Sequence, residues 1–529
     1  MREFNTAGPV QSEDHYSIPP LSRFDLDEIV RLIDSKKYFI LHAPRQVGKT
    51  SYLLALMDYL NEQGKVRCLY VNFEGAQAAR ENVKGAMQAI LGQLSTMAEI
   101  FLDDHYPNEI WPDILEKFGP FDALNQLLLR WSRKSPLPLI LFIDEIDALV
   151  GDTLISVLRQ LRAGYSLRPA AFPQSIILCG VRDVRDYRIY SSREKDVITG
   201  GSAFNIKAES LRMGDFTKEA VNQLYAQHTE ETGQPFHDGV VDTVWELTQG
   251  QPWLVNALGR EVCFSIKPNR DRTQPITYEM IMTAKENLIL RQDTHLDQLI
   301  NQLKLERVQN VIGPMLQSTT TDKSISSDDL KYVIDLGLVR RTDYGPQIAN
   351  PIYREIIPRQ LTTIIQENIQ SIVRPAWYIQ PDGRLDMEKL MTEFQQFFRE
   401  NSESWLKGYQ YYEAGPQLLM QAYLQRVING GGSINREYGL GRGRTDLYIT
   451  WPLPTGETQR EIIELKIRYG ALDTTIDKGL KQTWEYMDRC GAENGHLVIF
   501  DRDKNKSWKE KIFKCLKSYE DAPITVWGM

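Results

Sequence analysis

Two charged residues interrupt an apolar, strand-like run near the end of the chain. Residues 460–468 read REIIELKIR. Side chains alternate between the two faces of a strand, so Glu464 and Lys466 are expected on one face, and Ile463, Leu465 and Ile467 on the other. This pattern indicates a strand with one face that carries charge.

Three further positions extend the pair into a set suited to phosphodiester cleavage. Asp446 enters a short strand after a Gly-Arg-rich segment, and Gln482 and Tyr486 lie four residues apart on one face of a predicted helix. Cleavage requires a divalent cation with hard oxygen ligands, which lowers the pKa of a water molecule and offsets the charge on phosphorus. We therefore expect Asp446 and Glu464 to bind Mg²⁺, or Mn²⁺. Lys466 would orient the nucleophilic water or stabilise the transition state, and Gln482 and Tyr486 would contact the substrate or brace the site.

Glu413 and neighbouring arginines have two interpretations each. Glu413 precedes the segment AGPQLLMQAYLQRV, and it is either an additional metal ligand or an exposed acid favoured by the helix dipole. Three arginines lie near Asp446 in sequence: Arg436, Arg442 and Arg444. They either bind the phosphate backbone of a nucleic acid or belong to a hairpin that is merely solvated. The alternative for the whole site is an internal ion pair of Glu464 with Lys466 or Arg444 in an edge strand.

The order of these residues resembles the PD-(D/E)xK nuclease superfamily in its RecB-like form, over about residues 405–515. Asp446, Glu464-x-Lys466 and Gln482-x-x-x-Tyr486 take the motif positions, while Thr445-Asp446 stands in place of the literal Pro-Asp pair. The resemblance implies a C-terminal α/β domain of the restriction-endonuclease type, with a nucleic acid, DNA above all, as the partner.

A phosphate-binding loop is predicted more than 400 residues upstream. The segment APRQVGKT matches the pattern G-x-x-x-x-G-K-[ST] except at its first position, and it joins a strand candidate to an apolar-periodic helix. Backbone amides and the lysine would bind the phosphates of ATP, and the threonine hydroxyl would bind Mg²⁺. The alternative is a chance Gly-Lys-Thr at a helix start. The predicted nucleotide-binding residues of this loop are Ala43, Pro44, Arg45, Gln46, Val47, Gly48, Lys49, Thr50 and Ser51.

Two more strands are expected to deliver side chains to the same site. The run LPLILFIDEIDAL ends in acids, so Asp144 would hold the magnesium ion through water and Glu145 would polarise the attacking water. Asp147 either joins them or caps the next helix. After the strand SIILCG, Arg182 or Arg185 is a candidate sensor of the γ-phosphate or arginine finger; the alternative is a solvated Arg-Asp surface.

These motifs, with SAFNIKAESLRMGDFT and LTQGQPWLVNALGRE, resemble the AAA-like, STAND-type ATPases related to the archaeal ATPase family, over about residues 10–360. Gly250-Gln251-Pro252 matches the G-x-P element of that family's helical lid. The resemblance implies a nucleotide-driven switch that assembles into homo-oligomers.

The expected architecture is therefore a multidomain α/β protein. We assign residues 1–212 to a P-loop ATPase core with a parallel sheet, 213–295 to the helical lid, 296–365 to a winged helix, and 366–529 to linker helices and the nuclease-like domain. The winged helix would either bind DNA or act as a spacer. Asp328, Asp329 and Asp335 in its second helix would repel phosphates and favour the spacer.

The composition limits the possible functions. The 529 residues carry a net charge of -8, so any DNA site must be a local patch. Five cysteines without a C-x-x-C pair disfavour a zinc site or a disulfide framework, and no apolar run approaches the ~18 residues of a membrane helix. We expect a cytoplasmic protein without a membrane partner. Two functions remain: an ATP-regulated nuclease, in defence or mobile-element control by analogy, or an ATP-driven signalling or DNA-binding scaffold whose nuclease-like domain does not cut.

Overall fold

The computed structural model describes residues 1–183, 188–191, 196–199, 204–291, 294–316, 325–343, 345–361, 378–407, 415–428, 433–440, 443–468, 470–501, 503 and 505–529. Of several stretches, among them 401–407, 425–428, 433–440 and 443–446, it describes the backbone only. Two compact units divide the chain: Met1–His295 with Ile334–Gly337, and Leu296–Val333 with Leu338–Met529. Within the described stretches, no helix has the length and apolar character needed to cross a lipid bilayer.

The first unit is built on a five-stranded parallel sheet. In chain order the strands of this unit are β1 (Glu3–Phe4), β2 (His15–Tyr16), β3 (Tyr38–His42), β4 (Arg67–Asn72), β5 (Leu139–Asp144), β6 (Ser175–Gly180), β7 (Arg188–Ser191), β8 (Asp196–Thr199) and β9 (Lys207–Arg212). The sheet has the order β4-β5-β6-β3-β9, while β1-β2 and β7-β8 are separate two-stranded pairs. Such an order places the carboxyl ends of β3, β5 and β6 side by side.

Helices cover both faces of this sheet, and the later ones make up residues 213–295, the predicted helical lid, which is called the lid below. They are α1 (Leu26–Asp34), α2 (Lys49–Glu62), α3 (Val83–Leu102), α4 (Tyr106–Phe118), α5 (Ala123–Lys134), α6 (Gly151–Ala163), α7 (Lys218–Thr232), α8 (Val240–Thr248), α9 (Pro252–Arg260) and α10 (Tyr278–Arg291). Alternation along β3 decides what packs where: Tyr38 and Ile40 join the core with α3 and α5, whereas Phe39 and Leu41 join the core with α1 and α2. The strands predicted before the phosphate loop, in LPLILFID and in SIILCG are confirmed as β3, β5 and β6, and all three pair in parallel.

The lid contains a glycine that no other residue can replace without movement. Gly250 has φ +77°, and a Cβ there would lie 2.0 Å from the carbonyl oxygen of Phe216. The Phe216 amide in turn donates to the Gly250 carbonyl at 2.8 Å. The Gln251 side chain caps α9, and Pro252 lies in the first turn of that helix. The Gly-Gln-Pro element therefore begins a helix, at a position where proline is common.

The second unit begins with helices and a hairpin. The remaining α-helices within the described residues are α11 (Thr294–Gln302), α12 (Glu306–Met315), α13 (Ser327–Asp335), α14 (Pro351–Leu361), α15 (Met387–Lys407), α16 (Gly415–Ile428), α17 (Leu472–Cys490) and α18 (Trp508–Lys511). The hairpin is β10 (Val339–Thr342) paired antiparallel with β11 (Gly345–Ile348). The two predicted helices and the turn of the 296–365 segment are therefore present; its assignment as a winged helix remains a prediction.

A six-stranded mixed sheet forms the core of the second unit. Its strands are β12 (Ser433–Leu440), β13 (Gly443–Pro452), β14 (Thr458–Ile467), β15 (Asn494–Phe500), β16 (Phe513–Tyr519) and β17 (Ala522–Gly528), in the order β12-β13-β14-β15-β17-β16. Ile463 and Leu465 pack on one face with α15 and α16, whereas Ile462 packs on the other face with α17. Alternation therefore places Glu464 and Lys466 on the α17 face.

Candidate nucleotide and phosphodiester sites

The phosphate loop connects β3 to α2 in the first unit. Gly48 caps α2 with φ 102°, and Gln46 has φ 57°. The Lys49 ammonium donates to the carbonyl oxygens of Ala43 and Pro44, both at 3.1 Å, and so lies across the mouth of the loop. Ala43 is fully buried in the core with α2, and its amide donates to the Gly180 carbonyl at 3.2 Å. An alanine therefore fits at the position where the sequence pattern has glycine.

The predicted magnesium ligands come together at the end of β5. The Thr50 hydroxyl donates to Asp144 Oδ2 at 2.8 Å. Asp144 is fully buried, and the backbone amide of Glu145 donates to its Oδ1 at 2.9 Å. A hydroxyl and a carboxylate are the hard oxygen ligands that Mg²⁺ prefers, so these two residues fit that ion.

Tyr70 belongs to this group, and sequence reasoning missed it. Its hydroxyl donates to Asp144 Oδ2 at 3.0 Å from β4, the strand next to β5. Burial first, and then the negative charge of Asp144, raise the pKa of the Tyr70 hydroxyl. The phenol therefore stays protonated and remains a donor. Only the strand order could have pointed to it, because nothing in the residues 70–72 themselves indicates chemistry.

Glu145 and Asp147 follow the buried acid in a tight turn. Glu145 has φ 53°, and burial followed by repulsion from Asp147 raises the pKa of its carboxyl. Asp147 lies in a short 3-10 turn, Ile146–Ala148, and its Oδ1 accepts from the Val181 amide at 3.3 Å. It thus fixes the end of β6 against the end of β5, and α6 begins later, at Gly151.

Arg182, the predicted sensor, is placed just after β6. Its side chain is 8% exposed, and its Nε lies 3.4 Å from Asp335 Oδ2, within the first unit. An arginine buried to this degree suits a role toward its own nucleotide site, whereas an arginine finger that reaches into another subunit must project outward. Arg185 lies outside the described residues.

Two other side chains tie the loop to its surroundings. Arg23 donates from Nη1 to the Val47 carbonyl at 3.0 Å, and its guanidinium lies 4.6 Å from the ring centre of Phe216 in the lid. Burial lowers the pKa of Arg23 to about 10.

His295 hydrogen-bonds the Gln46 side chain, and burial lowers the pKa of His295 to about 4, which keeps its ring neutral. A cavity of about 140 Å³ lies beside this loop, lined by Gly48, Ser51, Val10, Trp253 and Asn256 among others.

The first unit thus combines a five-stranded parallel sheet with a loop after β3 that holds Lys49 and a buried acid at the end of β5. No protein-family model matches the chain, and no curated protein matches it. Among solved structures, the chain is similar to the Walker-type ATPase PABY2304 of Pyrococcus abyssi, with 16% identity and a TM-score of 0.44, over 67% of this chain and 99% of that one.

Two further solved structures resemble it. The RuvB Holliday junction branch migration motor of Thermotoga maritima has 13% identity and a TM-score of 0.32, over 63% of this chain and 95% of that one. The Aeropyrum pernix Orc1 protein, solved in complex with DNA, has 15% identity and a TM-score of 0.33, over 68% of this chain and 94% of that one.

In the second unit, Glu464 and Lys466 form an ion pair. Lys466 Nζ donates to Glu464 Oε1 at 2.6 Å, and the residues are 8% and 2% exposed. β14 is an interior strand of the sheet, between β13 and β15, so the edge-strand setting considered for this pair is wrong. The contact itself is the one expected of an internal ion pair.

Asp446 occupies the matching position on the next strand. Leu447 pairs with Ile463 in the antiparallel ladder between β13 and β14. Asp446 precedes Leu447, and Glu464 follows Ile463. Because the two strands are antiparallel, Asp446 and Glu464 occupy neighbouring positions at this end of the ladder. Among described side chains, no three His, Cys, Asp or Glu converge as metal ligands; the side chain of Asp446 is not among them, and Glu413 lies outside the described residues.

The Gln-Tyr helix is α17, which covers the Glu464 face. Tyr486 is buried with Tyr448 and Ile462, and Gln482 is half-buried. α17 therefore braces the sheet through Tyr486. Arg436 lies in β12 and Arg444 in β13, whereas Arg442 lies outside the described residues.

Proposed function

We propose that the chain binds and hydrolyses ATP in its first unit and uses this switch to control a metal-dependent nuclease in its second unit that cleaves DNA, in defence or in the control of mobile elements. The contact of Thr50 with Asp144, beside the loop that holds Lys49, carries the ATPase half of the proposal. The ion pair of Glu464 with Lys466, next to the Asp446 position, carries the nuclease half.

In the ATPase site, each residue has one task. The amides at the start of α2 bind the phosphates, and Lys49 exchanges its two carbonyl partners for phosphate oxygens. Thr50 and Asp144 would hold Mg²⁺, which offsets phosphate charge when bound. Glu145, in its carboxylate form, orients the attacking water, and Arg182 responds to the γ-phosphate.

In the nuclease site, Asp446 and Glu464 would hold Mg²⁺ or Mn²⁺, which lowers the pKa of a bound water. The Lys466 ammonium, which has three N–H donors, would keep its contact with Glu464 and also donate to the nucleophilic water or to a phosphate oxygen. Tyr486 fixes α17 on the sheet, and Gln482 contacts the substrate or braces the site. A homo-oligomer and a spacer role for the 296–365 segment complete the proposal.

A second candidate has an observation in its favour. Glu464 and Lys466 are almost fully buried and bonded to each other, as in an internal ion pair of a domain that only binds. The chain would then be an ATP-driven signalling or DNA-binding scaffold whose nuclease-like domain does not cut.

One experiment separates the two. Supercoiled, linear and single-stranded DNA is incubated with Mg²⁺ or Mn²⁺, with and without ATP, and with the variants Lys49→Ala and Lys466→Ala. We expect Lys466→Ala to lose cleavage and retain ATPase activity, and Lys49→Ala to lose ATP binding, whereas the exposed control Lys65→Ala changes neither. Intact DNA under every condition, with ATPase activity present, would support the scaffold.

A further inference from the structure

A polar cavity of about 730 Å³ opens in the second unit, on the sheet face opposite to Glu464. Its floor is near the starts of β14 and β15, where Glu461, Asn494 and His496 lie beside one another. Its walls come from the segment 384–389 and from β16 and β17. A cavity of this size accommodates a small organic molecule.

A buried carboxylate forms the floor. Glu461 is 1% exposed. Its Oε1 accepts from Gln459 Nε2 at 2.7 Å and from Asn494 Nδ2 at 3.3 Å, and its Oε2 lies 3.3 Å from His496 Nε2. Two of these three donors are amides, which carry no charge.

The third donor, His496, is also neutral in this geometry. The indole Nε1–H of Trp527 donates to His496 Nδ1 at 3.2 Å. Because a ring nitrogen that accepts a hydrogen bond carries no proton, the single proton of His496 is on Nε2 and is donated to Glu461. Among the described residues, Glu461 therefore has no Lys or Arg in direct contact with its carboxylate, and His496 is its one basic neighbour.

The cavity walls add to the negative field. Four carboxylates line the cavity, Glu461 with Asp386, Glu388 and Glu393, against the two basic side chains Arg384 and Lys389, and Glu388 is paired with Lys514 outside the cavity lining. Arg384 already pairs with Asp382 at 3.5 Å. A carboxylate in a site of low dielectric attracts a cation strongly, because little water is present to screen it.

From the buried carboxylate at the floor of this cavity, which no Lys or Arg contacts, we infer that the second unit binds a small organic cation whose guanidinium or ammonium group contacts Glu461. The cation supplies the missing positive charge, and the amides of Gln459 and Asn494 hold the carboxylate toward it. This site is on the other face of the sheet from Glu464, so it does not depend on nuclease activity.

The test uses calorimetry on the full chain at fixed ionic strength. The probes are butylguanidinium and butylurea, which have nearly the same shape and differ in charge. We expect butylguanidinium to bind about tenfold or more tightly, the difference that a hydrogen bond to a charged group makes. Glu461→Gln should reduce its affinity to that of butylurea, whereas the exposed control Glu520→Gln should leave it unchanged.

A second variant guards against misfolding of Glu461→Gln. Thr525 lines the cavity on β17, beside His496 in the sheet. Thr525→Lys places an ammonium in the cavity, so it should abolish butylguanidinium binding and raise the melting temperature of this unit by about 2–4 °C. Equal binding of the two probes, or unchanged binding in Glu461→Gln, would overturn the inference. Binding of a tetra-arginine peptide without binding of butylguanidinium would also overturn it, in favour of a protein partner.

Discussion

The Thr50 hydroxyl donates a hydrogen bond of 2.8 Å to the Asp144 carboxylate, joining the start of α2 to the end of β5. Tyr70 donates to the same oxygen at 3.0 Å. Asp144 is fully buried, and a buried carboxylate requires such donors to remain charged. The position of the candidate metal ligand therefore depends on two strands and one helix, and not on the loop alone.

Removing one of these donors should destabilise the first unit. Tyr70→Phe leaves Asp144 with one donor fewer, at an expected cost of about 1–3 kcal/mol in the free energy of unfolding. Tyr52→Phe is the matched control, because its buried hydroxyl has no partner among the described residues; its loss should be neutral or stabilising. Urea unfolding followed by hydrogen exchange in β4 and β5 measures both. Equal effects of the two substitutions would show that the bond to Asp144 contributes nothing.

The pH dependence of ATP hydrolysis should report the environment of Glu145. Burial and Asp147 raise the pKa of Glu145, and the proposed mechanism needs its carboxylate form. The rate should therefore fall with falling pH at a value above about 4.3, where an ordinary glutamate titrates. Asp147→Asn keeps an acceptor for the Val181 amide but removes the repulsion, so the pKa of Glu145 falls and activity extends to lower pH.

The measurement is the rate of phosphate release across the pH range, for wild type, Asp147→Asn and the exposed control Asp113→Asn. The control should leave the acid limb of the profile in place. An acid limb that also stays in place in Asp147→Asn would contradict the assigned role of Glu145.

Sequence patterns predicted the elements of the first site, since a buried parallel strand is a continuous apolar run and the phosphate loop has fixed spacing. β3, β5 and β6 were found in this way, and the structure brings Thr50 and Asp144 into contact at their ends; the roles of Lys49, Thr50 and Asp144 remain predictions. Tyr70 and Arg23 were not, because their contacts depend on which strand lies beside β5 and on how the lid packs. Such neighbours are set by tertiary packing and leave no periodic signal in the chain.

In the second unit, alternation predicted the common face of Glu464 and Lys466 in β14, and the apolar run after α17 predicted β15. Patterns did not show that β14 is interior, because strand order is not encoded in alternation. They also did not predict β16 and β17, and the Glu461 cavity was missed because Gln459, Asn494 and Trp527 are distant in sequence.

The ion pair of Glu464 with Lys466 should behave as a buried pair. Lys466→Met leaves the Glu464 charge without its partner, at an expected cost of about 3–5 kcal/mol in the free energy of unfolding, and adding Glu464→Gln should recover most of it. The exposed pair Lys514 with Glu388 provides the control, and Lys514→Met should cost about 1 kcal/mol or less. Hydrogen exchange of β14 in urea measures each variant. A double variant no more stable than Lys466→Met alone would contradict this account.

The lid glycine should couple to nucleotide binding through backbone contact. Gly250 and Gly233 have nearly the same positive φ, +77° and +75°, so we expect alanine to carry a similar strain of about 1–2 kcal/mol at either position. A Cβ at Gly233 meets nothing within 4 Å, whereas at Gly250 it would lie 2.0 Å from the Phe216 carbonyl oxygen. Only Gly250→Ala must therefore displace the Phe216 backbone.

That displacement reaches the phosphate loop, because the Arg23 guanidinium lies on the Phe216 ring and donates to the Val47 carbonyl. We expect Gly250→Ala to weaken binding of a fluorescent ATP analogue by about tenfold or more, the effect of losing roughly 1.4 kcal/mol. Gly233→Ala should lower the free energy of unfolding only by its backbone strain and leave the affinity for the ATP analogue unchanged. If both variants bind the analogue as wild type does, the lid contact does not position the loop, and Arg23 only stabilises the fold.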